Sequence, residues 1–287
     1  MTEILIKRLS DKVLLPRYET EGSSGMDLAA NINESIEIKP GSTAIIPTGN
    51  EEHNIVEAIQ SLSFADEILV VDSFSSDKTI ELAKPLASKI IRREYQNSAS
   101  QKNWAIPQAK YEWILLLDAD ERITPALEQE IKNILLSQPI ESGFWIYRQN
   151  YFMGKKVRFS GWQDDKVIRL FKRDECRYED KHVHAEITTQ GKIGFLKNKM
   201  HHNTFVNIQD YLFKIRRYAD WQSKDYQHKT GVLTPYHFLI KPIARFIKHY
   251  FLKLGILDGF TGITIASIQA YAVFLRYSKL WKLRRQA

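Results

Sequence analysis

Cysteine is nearly missing from these 287 residues: Cys176 stands alone. No intramolecular disulfide framework can form, and the chain suits a reducing compartment such as the cytoplasm. The first ten residues are mixed in charge and lack an apolar stretch, unlike a secretory signal. Uninterrupted apolar runs of membrane-spanning length are lacking too. Residues 254–275 come nearest, but Asp258, glycines and several Thr, Ser and Gln residues interrupt them. The expectation is attachment to a membrane surface rather than passage through it. Acid is scarce at one end: Lys241, Arg245, Lys248, Lys253, Arg276, Lys279, Lys282, Arg284 and Arg285 are set against Asp258 alone. A basic end interleaved with aromatics points to an anionic membrane face or to nucleic acid. No recognisable nucleic-acid module accompanies the charge, which favours the membrane.

What is present is ordinary globular material, with 44% hydrophobic and 26% charged residues and a net charge of +7. There is enough of it for one large domain or two modest ones. Residues 1–42 read as short strands and turns, with a Gly-Ser turn at 22–25 and Pro40-Gly41 closing the segment. From residue 43 the pattern alternates. Strands are expected at 43–47, 67–71, 88–92 and 113–117, and helices at 54–62, 78–86 and 99–109. Such alternation builds βαβ units and a mostly parallel sheet with helices on both faces. Mixed strands follow at 143–147, 167–171 and 182–187. Residues 208–287 read as a helical extension, broken around 231–235. The organisation expected is therefore three parts: 1–42, 43–207 and 208–287.

In parallel sheets ligands bind beyond the carboxyl ends of the strands, and three polar clusters fall there. The strand at 113–117 runs into Asp118-Ala119-Asp120-Glu121. Two carboxylates two residues apart can face one Mg²⁺ or Mn²⁺ and the diphosphate it bridges. The same residues could instead be an acidic loop capping a helix that starts near Pro125. Asp72 ends another strand and could accept hydrogen bonds from a base or ribose, or form an Asx turn within 72–77. Pro47, Thr48 and Glu51 close the first strand of this region at the same edge. Lys102 and Asn103 sit on a helix that could reach a nucleotide. The plainer alternative for them is an exposed polar helix face.

These stretches, taken together, resemble family 2 glycosyltransferases. The resemblance runs through Pro47-Thr48-Gly49-Asn50-Glu51-Glu52, the strand ending at Asp72, Lys102-Asn103 and Trp113 to Glu121. It continues through Gly161-Trp162-Gln163-Asp164-Asp165, Arg169-Leu170-Phe171, Val183-His184 and His202. Tyr211, Lys214, Tyr218, Leu257-Asp258-Gly259 and Gly262 extend it, and the set is similar to bacterial enzymes that add sugars to the lipopolysaccharide core. The resemblance implies a GT-A Rossmann-like α/β fold, a nucleotide-sugar donor (usually a UDP-sugar), Mg²⁺ or Mn²⁺, and inversion at the anomeric carbon. It implies Asp118 and Asp120 at the diphosphate and metal, and Asp165 as the base, with Asp164 beside it as a competitor. His184 and Glu186 are implied contacts to diphosphate or acceptor. Relatives usually carry Glu directly after that His, whereas Ala185 intervenes here.

A second resemblance covers only the beginning. Residues 15–30, including Gly22-Ser23-Ser24-Gly25-Met26-Asp27, look like the opening motif of trimeric dUTPases. That resemblance implies a triphosphate-positioning role for Asp27. The later dUTPase motifs are absent after Gly49, so a complete site of that kind is not expected. Ile45-Ile46-Pro47-Thr48 fits both families, and a fusion at that shared stretch explains why Gly49 stands where family 2 enzymes usually carry an aromatic. The expected function is hexose transfer from a nucleotide sugar to a glycolipid or lipopolysaccharide core acceptor. The expected location is the inner face of the cytoplasmic membrane, held peripherally by the basic C-terminal helices. The alternatives are a dUTPase-type hydrolase and a fusion remnant with an impaired site.

Overall fold

A computed structural model describes residues 41–179, 185–205 and 208–286. Residues 1–40, and with them the dUTPase-like motif, lie outside the described residues, as does His184.

The first half is built as the alternation predicts. Strand β1 (Ser42–Thr48) leads to helix α1 (Ile55–Gln60), β2 (Glu67–Asp72), α2 (Thr79–Ala83), β3 (Lys89–Arg92), α3 (Ser98–Ala105) and β4 (Trp113–Leu116). Helix α3 starts where the Asn97 side chain accepts the Ser100 N–H. It is shorter than expected, because Pro107 cannot continue an α-helix and 106–108 tighten into a 3₁₀ turn. Strand β5 (Glu121–Arg122) precedes α4 (Pro125–Leu136), whose N-cap is Thr124, its hydroxyl accepting the Leu127 N–H. The acidic run 118–121 therefore does not cap this helix.

Strands β6 (Gly143–Phe152), β7 (Lys155–Lys156), β8 (Lys166–Lys172), β9 (Arg177–Tyr178), β10 (Ile187–Thr188), β11 (Ile193–Phe195) and β12 (Met200–Phe205) follow. The main sheet runs β3-β2-β1-β4-β8-β6-β12-β5, with β7 and β11 also on β6. The first four strands are parallel, β8 is antiparallel to both its neighbours, and β6 and β12 are parallel to each other. Alternation along β1 divides the core. Ala44 and Ile46 pack with Ile55, Ile59, Leu127 and Ile131 on one face. Ile45 packs with Ala99, Ala105 and Ile106 on the other. Helices thus cover both faces, and the strand ends carrying polar residues are left at one edge.

Residues 40–287 form one compact unit. Helix α5 (Ile208–Lys229) ends just before the expected break. Next comes α6 (Lys241–Ile247), with a π-helical turn on each side, and then α7 (Gly259–Gln286). A further break, not expected from sequence, lies at 253–258, where Leu254 has φ 56° and Gly259 has φ 60°. It separates α6 from α7, which is long and apolar enough to cross a membrane by length and composition. Only part of α7 is buried, against α5 and the α6 region. Tyr211 and Ile215 of α5 pack with Ile265 and Ile268 of α7, Phe152 and Val157, which ties the helices to the sheet.

The break has a second use. Asp258 accepts hydrogen bonds from the backbone N–H groups of Arg158 and Phe159 at 3.0 Å and from Ser160 Oγ at 2.7 Å. His249 Nδ1 meets the Ser160 carbonyl at 2.8 Å. Gly161 follows with φ 88°, and a Cβ there would lie 3.0 Å from the His249 ring. The loop leading to Trp162 and Asp165 is therefore fastened to the C-terminal helices.

Candidate active site

The carboxyl ends of β1 and β4, the β6 and β12 strands, and helices α3, α5 and α7 enclose one cleft of about 1000 Å³. Pro47, Thr48, Glu51, Lys102, Asp118, Asp120 and Asp165 all line it. Asp72, Asn103 and Asp164 do not. Asp72 is fully buried, its carboxylate held by Ser75 and by Arg92 at 3.2 Å. Asn103 bridges α3 to β9 by paired hydrogen bonds with the Tyr178 backbone at 2.8 Å. Asp164 is exposed. Glu186 lines an adjoining recess of about 430 Å³. The exposed-face reading of Lys102 is corrected: the side chain is 8% exposed, with Nζ 2.9 Å from Asp118 Oδ1. A cation is stable there because a carboxylate answers it.

Asp118 also receives Arg169, and its backbone N–H donates to Glu121 Oε2 at 3.0 Å. Burial pushes its carboxyl up, but the charges of Arg169 and Lys102 outweigh that and hold it well below the usual range. Glu121, fully buried, binds Arg169 at 2.8 Å and Arg148 at 3.2 Å. Arg148 then forks onto Asp165, with Nε to Oδ2 at 3.0 Å and Nη2 to Oδ1 at 2.6 Å. Asn150 Nδ2 adds a third hydrogen bond to Asp165 at 2.9 Å. Burial raises Asp165, yet the Arg148 bonds prevail and leave it ionised below its ordinary value. Glu51 moves the other way, raised chiefly by burial.

A chain of hydrogen bonds fixes His202. Asn150 uses its amide NH₂ on Asp165, so its oxygen must be the atom facing His202 Nδ1 at 2.6 Å. That orientation puts the ring hydrogen on Nδ1 and turns Nε2 toward Asp120 Oδ2, 3.4 Å away. In the neutral ring two acceptors then face each other, an arrangement that a cation between them satisfies. Asp120 is raised by burial, and a protonated His202, donating from Nε2, lowers it by its hydrogen bond and charge, so that in that state Asp120 stays ionised. Two buried polar atoms on these walls have no hydrogen-bond partner among the described residues, Thr48 Oγ1 and Arg169 Nε. Unsatisfied buried groups of this kind are rare in a finished fold and mark places for a ligand.

The family sequence model described as Glycosyl transferase family 2 matches residues 43–190. The chain belongs to that family.

Among family 2 relatives, an uncharacterized glycosyltransferase of Rickettsia typhi is 28% identical over 267 residues, covering 86% of this chain and 88% of the relative. A lipopolysaccharide core biosynthesis glycosyltransferase of Rhizobium meliloti is 25% identical over 252 residues, covering 82% and 93%. A mannosyltransferase of Pyrobaculum calidifontis, solved with GDP-mannose and Mn²⁺, shares the fold with a TM-score of 0.50 and 18% identity, covering 85% of this chain and 88% of its own. A 47-residue stretch is 55% identical to a deoxyuridine 5'-triphosphate nucleotidohydrolase of Haemophilus influenzae, covering 16% of this chain and 31% of that enzyme. So short a match carries no hydrolase site.

Several residues that the geometry gathers at this site escape sequence reasoning. The sequence assigns no role to Arg148, Asn150 or Glu121, and His202 is only a matching residue. Parallel pairing of β6 with β12 sets Asn150 beside His202, a juxtaposition that no local spacing announces.

Proposed function

We propose that this family 2 enzyme transfers a hexosyl group, with inversion, from a nucleotide sugar to a hydroxyl of a glycolipid of lipopolysaccharide-core type. UDP is the expected carrier. The observation that carries the reading is the single cleft in which Asp118, Asp120, Thr48 and Asp165 meet. The Rhizobium meliloti relative supports the acceptor class.

Asp120 and His202 fit a divalent ion, since Mg²⁺ and Mn²⁺ take few protein ligands beside a substrate diphosphate. No cluster of three or more His, Cys, Asp or Glu able to hold a metal exists among the described residues. When bound, such an ion neutralises charge on the departing diphosphate. The chain's own residues do the rest. Thr48, at the carboxyl end of β1, lines the donor side of the cleft. Lys102 and Arg169 hold Asp118 ionised beside the diphosphate site. Asp165, aimed by Arg148 and Asn150, takes the proton of the attacking acceptor hydroxyl.

The helical wall supports a membrane-borne acceptor. Leu239, Ile243, Phe251, Leu252, Leu257 and Phe260 are exposed, Leu252 at 74% and Phe260 at 81%, and Lys241, Lys248 and Lys253 are interspersed with them. Apolar side chains of this size beside lysines suit the interface of an anionic bilayer. The reading places the enzyme peripherally on the cytoplasmic face of the membrane.

Calorimetry of UDP with and without Mn²⁺ tests the donor site. Binding should require the ion and weaken at least about tenfold in Asp120→Ala. Binding that ignores both the ion and the substitution would sink the assignment.

A further inference from the structure

Beside the cleft, and sharing Arg148 and Trp162 with it, lies a recess of about 200 Å³ whose lining includes Lys156, Arg158 and Lys199 and no acidic residue. Arg148 is already committed to Asp165 and Glu121. The other three cations have no carboxylate partner among the described residues; Lys199 lies over the Tyr147 ring instead. One of the two amides in the lining leans the same way. Gln163 uses its oxygen to accept the Gly161 N–H at 2.9 Å, which leaves its NH₂ as a donor. Gln149 Nε2 is committed to the Val157 carbonyl at 2.8 Å. Like charges gathered without an acid repel one another, and a concave wall of one sign concentrates counter-ions.

We propose that this recess is an oxyanion subsite, sized for a phosphate or carboxylate group and recognised by Arg158, Lys156 and Lys199. Arginine and lysine at one concave spot are the usual means of holding such groups. The link to the cleft gives the subsite its use. Arg148 contributes to this recess and orients Asp165, so an anion seated here lies one side chain from the carboxylate that receives the acceptor proton. The acceptor is therefore an acidic molecule, held by its charged group while a neighbouring hydroxyl is glycosylated. That last step rests on the transferase reading; the anion site itself stands on its lining. Two sources carry the chemistry, an acidic substituent on the acceptor glycan and the headgroup phosphate of an anionic bilayer.

Reductive methylation of the full chain, read by mass spectrometry at each lysine, tests the subsite. UDP and Mg²⁺ are kept saturating so that the diphosphate site is occupied. Inorganic phosphate should slow labelling of Lys156 and Lys199 at least about fivefold relative to potassium chloride of equal ionic strength, while exposed Lys84 is unaffected. Arg158→Ala should abolish this protection, and because Asp258 uses only the backbone of residue 158 the loop stays fastened. Protection by free phosphate assigns the subsite to an acceptor substituent. Protection by phosphatidylglycerol vesicles, and by neither phosphate nor phosphatidylcholine vesicles, assigns it to the bilayer headgroup. Equal labelling under all conditions, or protection that survives Arg158→Ala, overturns the proposal. None of these readouts needs sugar transfer, so failure of the donor-site test would leave the anion site standing.

Discussion

At the sheet edge the charges answer one another. Lys102 and Arg169 meet Asp118, and Arg148 joins Asp165 to Glu121. Across the cleft, the turns between α6 and α7 and the start of α7 leave Leu252, Leu257 and Phe260 in the open, with lysines among them. One wall is finished in the folded chain, with only Thr48 Oγ1 and Arg169 Nε left buried and unpaired among the described residues. The other is unfinished until something apolar and anionic covers it. On the function proposed above, the difference separates the two halves of the reaction: the donor would be organised by the ionic lattice, the acceptor by the open apolar surface.

Arg169→Met strikes the finished wall hardest. It strands the Asp118 and Glu121 carboxylates together, and loss of one partner of a buried ion pair costs about 3–5 kcal/mol. Urea denaturation should show that loss, whereas an unchanged midpoint would mean that the lattice is ornamental. Asp165→Asn should lower sugar transfer about a thousandfold with UDP affinity unchanged.

The same lattice sets a pH response. Asp165 has its folded value depressed, so its contribution to stability is present above the unfolded carboxylate value of about 4 and is lost as pH falls through the folded one. Arg148→Gln removes the cation that holds Asp165 down, so stability at neutral pH should fall and the acid limb of a melting-temperature profile should become shallower.

On the open wall, Leu252→Ser with Phe260→Ser should weaken sedimentation with phosphatidylglycerol vesicles about tenfold or more, since burying a large apolar side chain is worth about 1.5–3 kcal/mol. UDP binding should stay as it was. The mildest change sharpens the donor side. Gly49 does not have a positive φ, and a Cβ there meets only Ser73, at 3.3 Å. Gly49→Tyr restores an aromatic for the base and should tighten UDP about fivefold, within the range of about 1–3 kcal/mol for base stacking. No gain would mean that the base lies elsewhere.

The parallel half was legible because its signals are local. Apolar runs such as Trp113 to Leu116 end in polar residues, and the strands they predict are the strands observed. Asp118 and Asp120 were legible for the same reason. Lys102 misled because its neighbours on α3 are polar, and only the tertiary position of Asp118 makes burial favourable. Glu121 and Arg148 were silent and His202 stood out only through the resemblance, since their placement arises from strand pairings that bring positions 121, 148 and 202 near one another across long loops. The break at 253–258 was missed because Leu254 takes a left-handed conformation that its side chain does not advertise.

Asp258 sits in that break, among exposed Ile256, Leu257 and Phe260, while its carboxylate grips residues 158–160. The apolar rim and the loop carrying Asp165 are thereby cast as a single piece. In a chain shortened before this turn, the jaw carrying Trp162 and Asp165 would come unhinged from its post. If the rim meets a bilayer, as proposed, membrane contact and the placement of Asp165 become two ends of one short lever.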